Sequence, residues 1–270
     1  MKVIFSRKGF DSAAGGMPSP ILPDGTLLSL PIPSSKDSVQ YGDLSYGGMS
    51  YNEIIRELSP RTQLLASSTC HLDPDIRKGV IHRVKWKPAF GQVGASLSHL
   101  DKQGVGVGDL FLFFGWYRQT EFHNGRLRYV PNAPDLHIVY GYLQIGSIIR
   151  DKKDIPSELL IHPHAADFRW TNGKNALFLP TEILSLDTNL PGYACLCYSP
   201  NRVLTKSGCK RRVWNLPPFF REIPISYNRT AWKEDGFYSA GRGQEFVFEA
   251  NDKVLEWVKS IIRNTSDKTL

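Results

Sequence analysis

The stretch from Phe90 to Ile149 constrains the fold of this chain most. It runs FGQVGASLSHLDKQGVGVGDLFLFFGWYRQ, crosses a polar segment, and returns as HIVYGYLQIGSII. Val93, Leu97 and Leu100 fall at i, i+4 and i+7, which predicts a short helix, and Gly104 suits the left-handed position just past its end. The glycine-rich turn Gly104–Gly108 then leads into an apolar strand, Asp109–Phe114. A second apolar strand, Ile138–Ile149, is interrupted by Gly141 and Gly146. Glycines inside strands mark bends or bulges, so the pair predicts a tightly curved sheet. The expected fold class is α+β: a curved, mostly antiparallel sheet or partial barrel with a few packed helices.

A hydrophobic content of 41% supports a sizeable core, so the chain is globular and not disordered. Lys and Arg number 33 against 26 Asp and Glu, a net charge of +7. Such an excess permits a nucleic-acid partner, although solubility alone would also account for it. The apolar run Val3–Phe5 is far too short for a signal peptide, and no stretch approaches the ~18 apolar residues of a membrane span. A cytosolic protein without membrane association is expected. Cys70, Cys195, Cys197 and Cys209 are too few to build the fold from disulfides.

A strand over Lys2–Ser6 delivers the chain into a segment that begins at Arg7 and holds Gly9, Gly15, Gly16, Gly25, Pro18, Pro20 and Pro23. No helix or regular strand tolerates that composition. Asp11 and Ser12 precede the Gly15-Gly16 pair, where backbone amides could approach a phosphate or a base edge. The other reading is a rigid surface loop. Neither the G-x-x-x-x-G-K-[ST] nor the G-x-G-x-x-G spacing is present. Thr26–Pro33 reads as a short strand, and Ser50-Tyr51-Asn52-Glu53 as a capping box opening a helix stopped by Pro60.

In Cys70-His71-Leu72-Asp73-Pro74-Asp75, Pro74 keeps Asp73 out of helical conformation. Asp73 or Asp75 could activate a water with His71 or Arg77 adjusting its pKa, or both could serve a plain turn. Gln92, Ser96, His99 and Gln103 would align on the second face of the expected helix. That stripe carries no Lys, Arg or Glu, which favours a pocket lining over a solvated face. Trp116, Tyr117 and Arg118 end the apolar strand and could stack a base and hold a phosphate. Gln119–Pro134 reads as a polar surface loop. His162-Pro163-His164 would place both rings on one face if it were a strand, and Cys195-x-Cys197 has the same geometry. No four-ligand set has a recognised metal spacing, so His164 is read as a hydrogen-bonding or phosphate-contacting residue and no metal is expected. Lys206, Lys210, Arg211 and Arg212 precede Trp214, Pro217, Pro218, Phe219 and Phe220. This is either a DNA-backbone grip with a wedge or a charged turn before a proline-rich cover over the core. Val254, Trp257, Val258 and Ile261 form a last helical stripe capped by Asn251, and Arg263–Leu270 should fray. One domain is expected over residues 1–250, with the helix and tail of 251–270 as part of it.

SRKGFDSAAGGMPSPILPDG, CHLDPDIR, GQVGASLSHLDKQGVGVGDLFLFFGWYR and VYGYLQIGSI together resemble the third nucleotide-modification-associated domain family. The resemblance covers roughly residues 1 to 250. It implies a bacterial or phage protein linked to modified bases in DNA. The strand GDLFLFFG and its return strand are also similar in pattern to PUA-like folds, some of which read modified bases. Antiphage proteins of this broad kind include DNA glycosylases that excise a hypermodified base, such as glucosylated hydroxymethylcytosine. The resemblance thus implies a DNA glycosylase that needs neither metal nor cofactor, with DNA as its partner. A glycosylase must flip its base, hold it, and stabilise an oxocarbenium-like sugar with a carboxylate. Asp11, Asp73 or Asp75 would supply that carboxylate. A non-catalytic reader and a transferase that installs a modification are the alternatives.

Overall fold

The computed structural model describes residues 1–83, 85–171, 174–227, 231–240 and 245–263. Nine strands form one mixed sheet curled into a half-barrel, with four α-helices among the described residues. The strands are β1 (Lys2–Arg7), β2 (Ser19–Ile21), β3 (Phe90–Val93), β4 (Leu110–His123), β5 (Arg126–Tyr129), β6 (Leu136–Ile149), β7 (Asn175–Pro180), β8 (Tyr193–Cys195) and β9 (Glu245–Glu249). Their main order is β9-β1-β4-β6-β7-β3, with β2 and β5 pairing β4 and β8 pairing β6. The α+β class holds. The sheet is antiparallel except where β1 and β2 run parallel to β4.

β1 and β4 lie at the centre and are buried on both faces, so they read as unbroken apolar runs and not as alternation. Val3, Phe5, Leu110, Leu112 and Phe114 face one core, closed by Trp214, Phe220 and the helix α4 (Asp252–Ile262). Ile4, Phe111 and Phe113 face the other, closed by Leu97 and Leu100 of α2 (Gly94–Lys102). A third core lies under the glycine-rich N-terminal segment. There α1 (Tyr51–Leu58) buries Tyr51, Ile54, Ile55 and Leu58 against Phe10, Leu28, Leu30 and Tyr41. Both halves of the α1 capping box form: Ser50 Oγ accepts from Glu53 N, and Glu53 Oε2 accepts from Ser50 N at 2.6 Å.

The two glycines of the return strand mark its two irregularities. The β4–β6 register slips between Val139 and Gly141, and the β6–β7 register between Ile145 and Ser147. A methyl on Gly146 would lie 2.6 Å from the Pro180 carbonyl oxygen. The bend therefore brings two backbones together where a side chain does not fit.

Several expectations fail for physical reasons. Gln119–Pro134 is not a loop, because β4 continues to His123 and turns at Asn124-Gly125 into β5. Both turn residues have positive φ, the signature of the Asn-Gly hairpin. Val93 lies in extended conformation before α2 and not on its apolar face. Of Thr26–Pro33 only Ile32–Pro33 is strand, and it pairs with Cys70–His71. His162-Pro163-His164 is a 3-10 turn with His162 as its cap. Trp214 and Phe220 are fully buried and cannot act as a wedge, and Phe219 packs partly buried against the same core. The tail expected to fray lies outside the described residues from 264 onward.

Gly146→Ala should lower stability by about 1–3 kcal/mol in chemical denaturation, because the methyl meets backbone that cannot yield. Gly106→Ala, whose methyl would meet nothing within 4 Å, is the control. Equal stability of the two variants would contradict the close approach at Gly146.

Candidate functional site

His71 and Asp73 extend from the two-residue strand that pairs with Ile32–Pro33. The next residues are tied to the chain before β3, because Asp75 and Ala89 exchange both backbone hydrogen bonds. This brings Asp73 against β3, where Gly91 N donates to Asp73 Oδ1 at 2.7 Å. His162 Nε2 stands 3.3 Å from the same oxygen. The His164 ring packs flat against Gly91, and a methyl there would lie 2.1 Å from the imidazole.

The protons on these rings follow from their partners. His162 Nδ1 accepts from His164 N at 3.2 Å, so Nε2 carries its proton toward Asp73. His71 Nδ1 lies 2.9 Å from Asp37 Oδ2, and a carboxylate only accepts, so His71 donates from Nδ1. His164 donates from Nδ1 to Asn175 Oδ1 at 2.7 Å, while the Asn175 amide nitrogen donates to the His164 carbonyl. Nε2 is left as the lone-pair nitrogen of both His71 and His164. Burial pushes the Asp73 carboxyl up, but the contacts around it, His162 first, outweigh it and hold the carboxyl well below the usual range. Burial also pushes His164 down to about 3, so its ring is neutral.

These side chains floor a cavity of about 250 Å³. Arg7 and Lys8 at the end of β1, Gln92 of β3 and Arg169 of the helix α3 (Phe168–Thr171) form its walls. Lys8 Nζ pairs with Glu245 at 3.1 Å and lies 4.5 Å above the Phe90 ring. The Gln92 amide also donates to Glu245. Arg169 pairs with Asp37 and so braces the carboxylate behind His71. The Asp11–Gly16 turn forms the rim. Asp11 Oδ1 accepts from Ala13 N at 2.7 Å and Ala14 N at 2.8 Å, and the Asp11 carbonyl accepts from Gly16 N. Gly15 and Gly16 both have positive φ, and Gly15 lies flat on the Phe10 ring.

Across that rim lies an open cleft of about 790 Å³, lined by Arg7, Asp11, Ser12, Trp116, His137 and Lys210–Arg212, among others. Arg211 stacks 3.9 Å above the Trp116 ring and hydrogen-bonds Ser12 Oγ. Arg7 has its pKa lowered by burial and also by Arg211, so cationic side chains are crowded along one wall.

Of the residues singled out from the sequence, Arg7, Asp11, His71, Asp73, Gln92 and His164 share the cavity. Ser12, Trp116, Lys210, Arg211 and Arg212 line the cleft. The others lie elsewhere. Asp75 is buried between Arg83 and the Trp86 indole nitrogen, beside a much smaller hollow. Tyr117 is fully buried in the core and cannot stack a ligand. Arg118 is engaged by Asp135, and Lys206 by the Asp235 carbonyl. Ser96 and His99 do not line the cavity, because Gln92 belongs to a strand and shares no helical face with them. His99 contacts Ser226 and stacks on Tyr227 instead. Lys8, Asp37, Arg169, Asn175 and Glu245 were not legible as site residues. Lys8 beside Arg7 at a strand end was the nearest signal.

The sequence profile of a family described as nucleotide modification associated domain 3 matches residues 2–249. No curated protein and no solved structure matches the chain significantly. No helix among the described residues is long and apolar enough to cross a membrane.

The cleft generates a pH prediction. Burial, with Arg211 and Arg7 adding to it, pushes His137 down to about 3, and its Nδ1 accepts from the Trp214 indole at 2.9 Å. The unfolded chain protonates this ring near its ordinary value of about 6.5, while the folded chain stays neutral. The stabilisation is therefore complete above pH 6.5 and is lost as pH falls toward 3, at about 1.4 kcal/mol per pH unit for this group. In denaturant titrations His137→Asn, which keeps an acceptor for Trp214, should flatten that slope. An unchanged slope would contradict a neutral buried ring.

Proposed function

Because the chain belongs to the nucleotide modification associated domain 3 family, we propose that its cavity receives one nucleotide of modified DNA and that its floor promotes hydrolysis of the N-glycosidic bond. The enzyme is then a DNA glycosylase acting on a hypermodified base, such as glucosylated hydroxymethylcytosine, in defence against phage. The observation that carries this reading is the meeting of Asp73, His71 and His164 in a cavity of about 250 Å³ beside a cationic cleft. Chemistry on a base inside a duplex requires the nucleotide to swing out of the stack. The cleft suits the strand that remains: Lys210, Arg211 and Arg212 face phosphates, and Arg7 stands where cleft and cavity meet.

In the reaction the bond between C1′ and the base nitrogen breaks, a water oxygen bonds to C1′, and the leaving base gains a proton. An ionised carboxylate stabilises the positive charge that develops on the sugar. Asp73 suits that role, since it is ionised and lines the cavity. The lone-pair nitrogens of His71 and His164 suit the acceptance of the proton from water. Asp11 is less suited, because its Oδ1 is committed to the rim turn. The same commitment weighs against a transferase, whose donor phosphate would need the loop amides that Asp11 already occupies.

Incubation of the protein with duplexes carrying modified or plain cytosine should release alkali-labile abasic sites from the modified duplex only. Asp73→Asn should slow release by about 10²–10⁴-fold with binding retained. Arg211→Ala should weaken binding and reduce its salt slope by about one. Modification-dependent binding without any product would replace this reading with a reader, and a gain of mass on the DNA would replace it with a transferase.

A further inference from the structure

Among the described residues, His71, Asp73 and His164 form the one group of three metal-ligand side chains, with one ligand atom from each lying within 4.8 Å of the others. We propose that these three side chains hold a divalent first-row transition-metal ion in the floor of the cavity. This departs from the metal-free expectation. It rests on the side-chain geometry alone; with an ion bound, the two Nε2 lone pairs would be committed to it, so His71 and His164 would then hold the metal in place of taking a proton from water.

Ligand type comes first. Two imidazoles with one carboxylate suit zinc, iron and their neighbours, whereas magnesium and calcium favour oxygen throughout. Orientation comes second. A ligating histidine almost always donates its other N–H to a fixed partner. His71 does so to Asp37 and His164 to Asn175, which leaves Nε2 free on each ring. Asp73 is held in the same way. Its Oδ1 takes the Gly91 N–H and faces His162, so Oδ2 remains, 4.0 Å from His71 Nε2. Tetrahedral ligands bound at about 2.0–2.1 Å stand roughly 3.3 Å apart, so small side-chain rotations would close the set. Three protein ligands leave a position open toward the cavity for water or substrate.

The test uses the untagged full chain, stripped with a chelator and titrated calorimetrically with zinc and manganese, with metal content read independently by mass spectrometry. The expected result is about one ion per chain, binding that raises the melting temperature, and loss of both in the His71→Ala, His164→Ala double variant. Asp37→Asn keeps every ligand and should weaken affinity by about 10–100-fold, with folding checked by circular dichroism. A wild-type chain that takes up no ion would overturn the proposal. So would stoichiometric uptake that persists in the double variant. Uptake with no glycosylase product would leave this inference standing and remove only the proposed reaction.

Discussion

Gly91 joins the sheet to the site through two features of one residue. Its N–H holds Asp73 Oδ1 at 2.7 Å, and its missing side chain admits the His164 ring. The carboxylate comes from the strand-to-turn segment after Cys70, and the imidazole from the turn before β7. The two elements touch each other where His162 Nε2 stands 3.3 Å from Asp73 Oδ1. The glycine is where both meet the edge strand β3, which is itself fixed by its ladder with β7. A larger residue there would keep the N–H but push out the His164 ring, and with it the turn that carries His162 against Asp73. A buried carboxylate stripped of its donors costs several kcal/mol, so the floor is a unit and not a set of independent residues.

The rest of the sheet places cations around that floor. β1 runs between two cores and ends where Arg7 and Lys8 leave the apolar interior, so their charges emerge at the cavity mouth. The turn from Asp11 to Gly16 then closes on itself and divides the cavity from the cleft. Lys8 and Arg169 are paired with Glu245 and Asp37, while Arg211 stacks on Trp116 and lines the cleft with Lys210 and Arg212. The distribution suits an anion lying along the cleft more than one deep in the cavity.

Local signals in the chain were legible where chemistry and conformation coincide. The Ser50–Glu53 box marked α1, Asn251 marked α4, and Gly141 and Gly146 marked the bends of β6. Their message is written in neighbouring residues, and each is satisfied as it reads. The floor was half legible. His71 and Asp73 stand together in the sequence and the Pro74 restriction drew attention to them, but His164 joins them only through the β3–β7 ladder. Asp37 and Asn175 had no local signal at all, since a polar loop and a strand start gain meaning only from the ring each one holds. Gln92 was misplaced onto a helix because its spacing to Ser96 fits a helical period, although β3 ends one residue after it. Tyr117 was misplaced for a related reason: β4 continues past it and buries it, where an ending strand would have exposed it.

The proposed nucleotide would sit between the first glycine turn, the His71–Asp73 segment and β3. The most direct measurement is a structure of the Asp73→Asn chain bound to a duplex carrying a single glucosylated hydroxymethylcytosine. The modified nucleotide should be extrahelical, with its sugar against residue 73 and its flanking phosphates along Lys210–Arg212. A duplex with that base still stacked, or bound to a face away from the cavity, would contradict this placement.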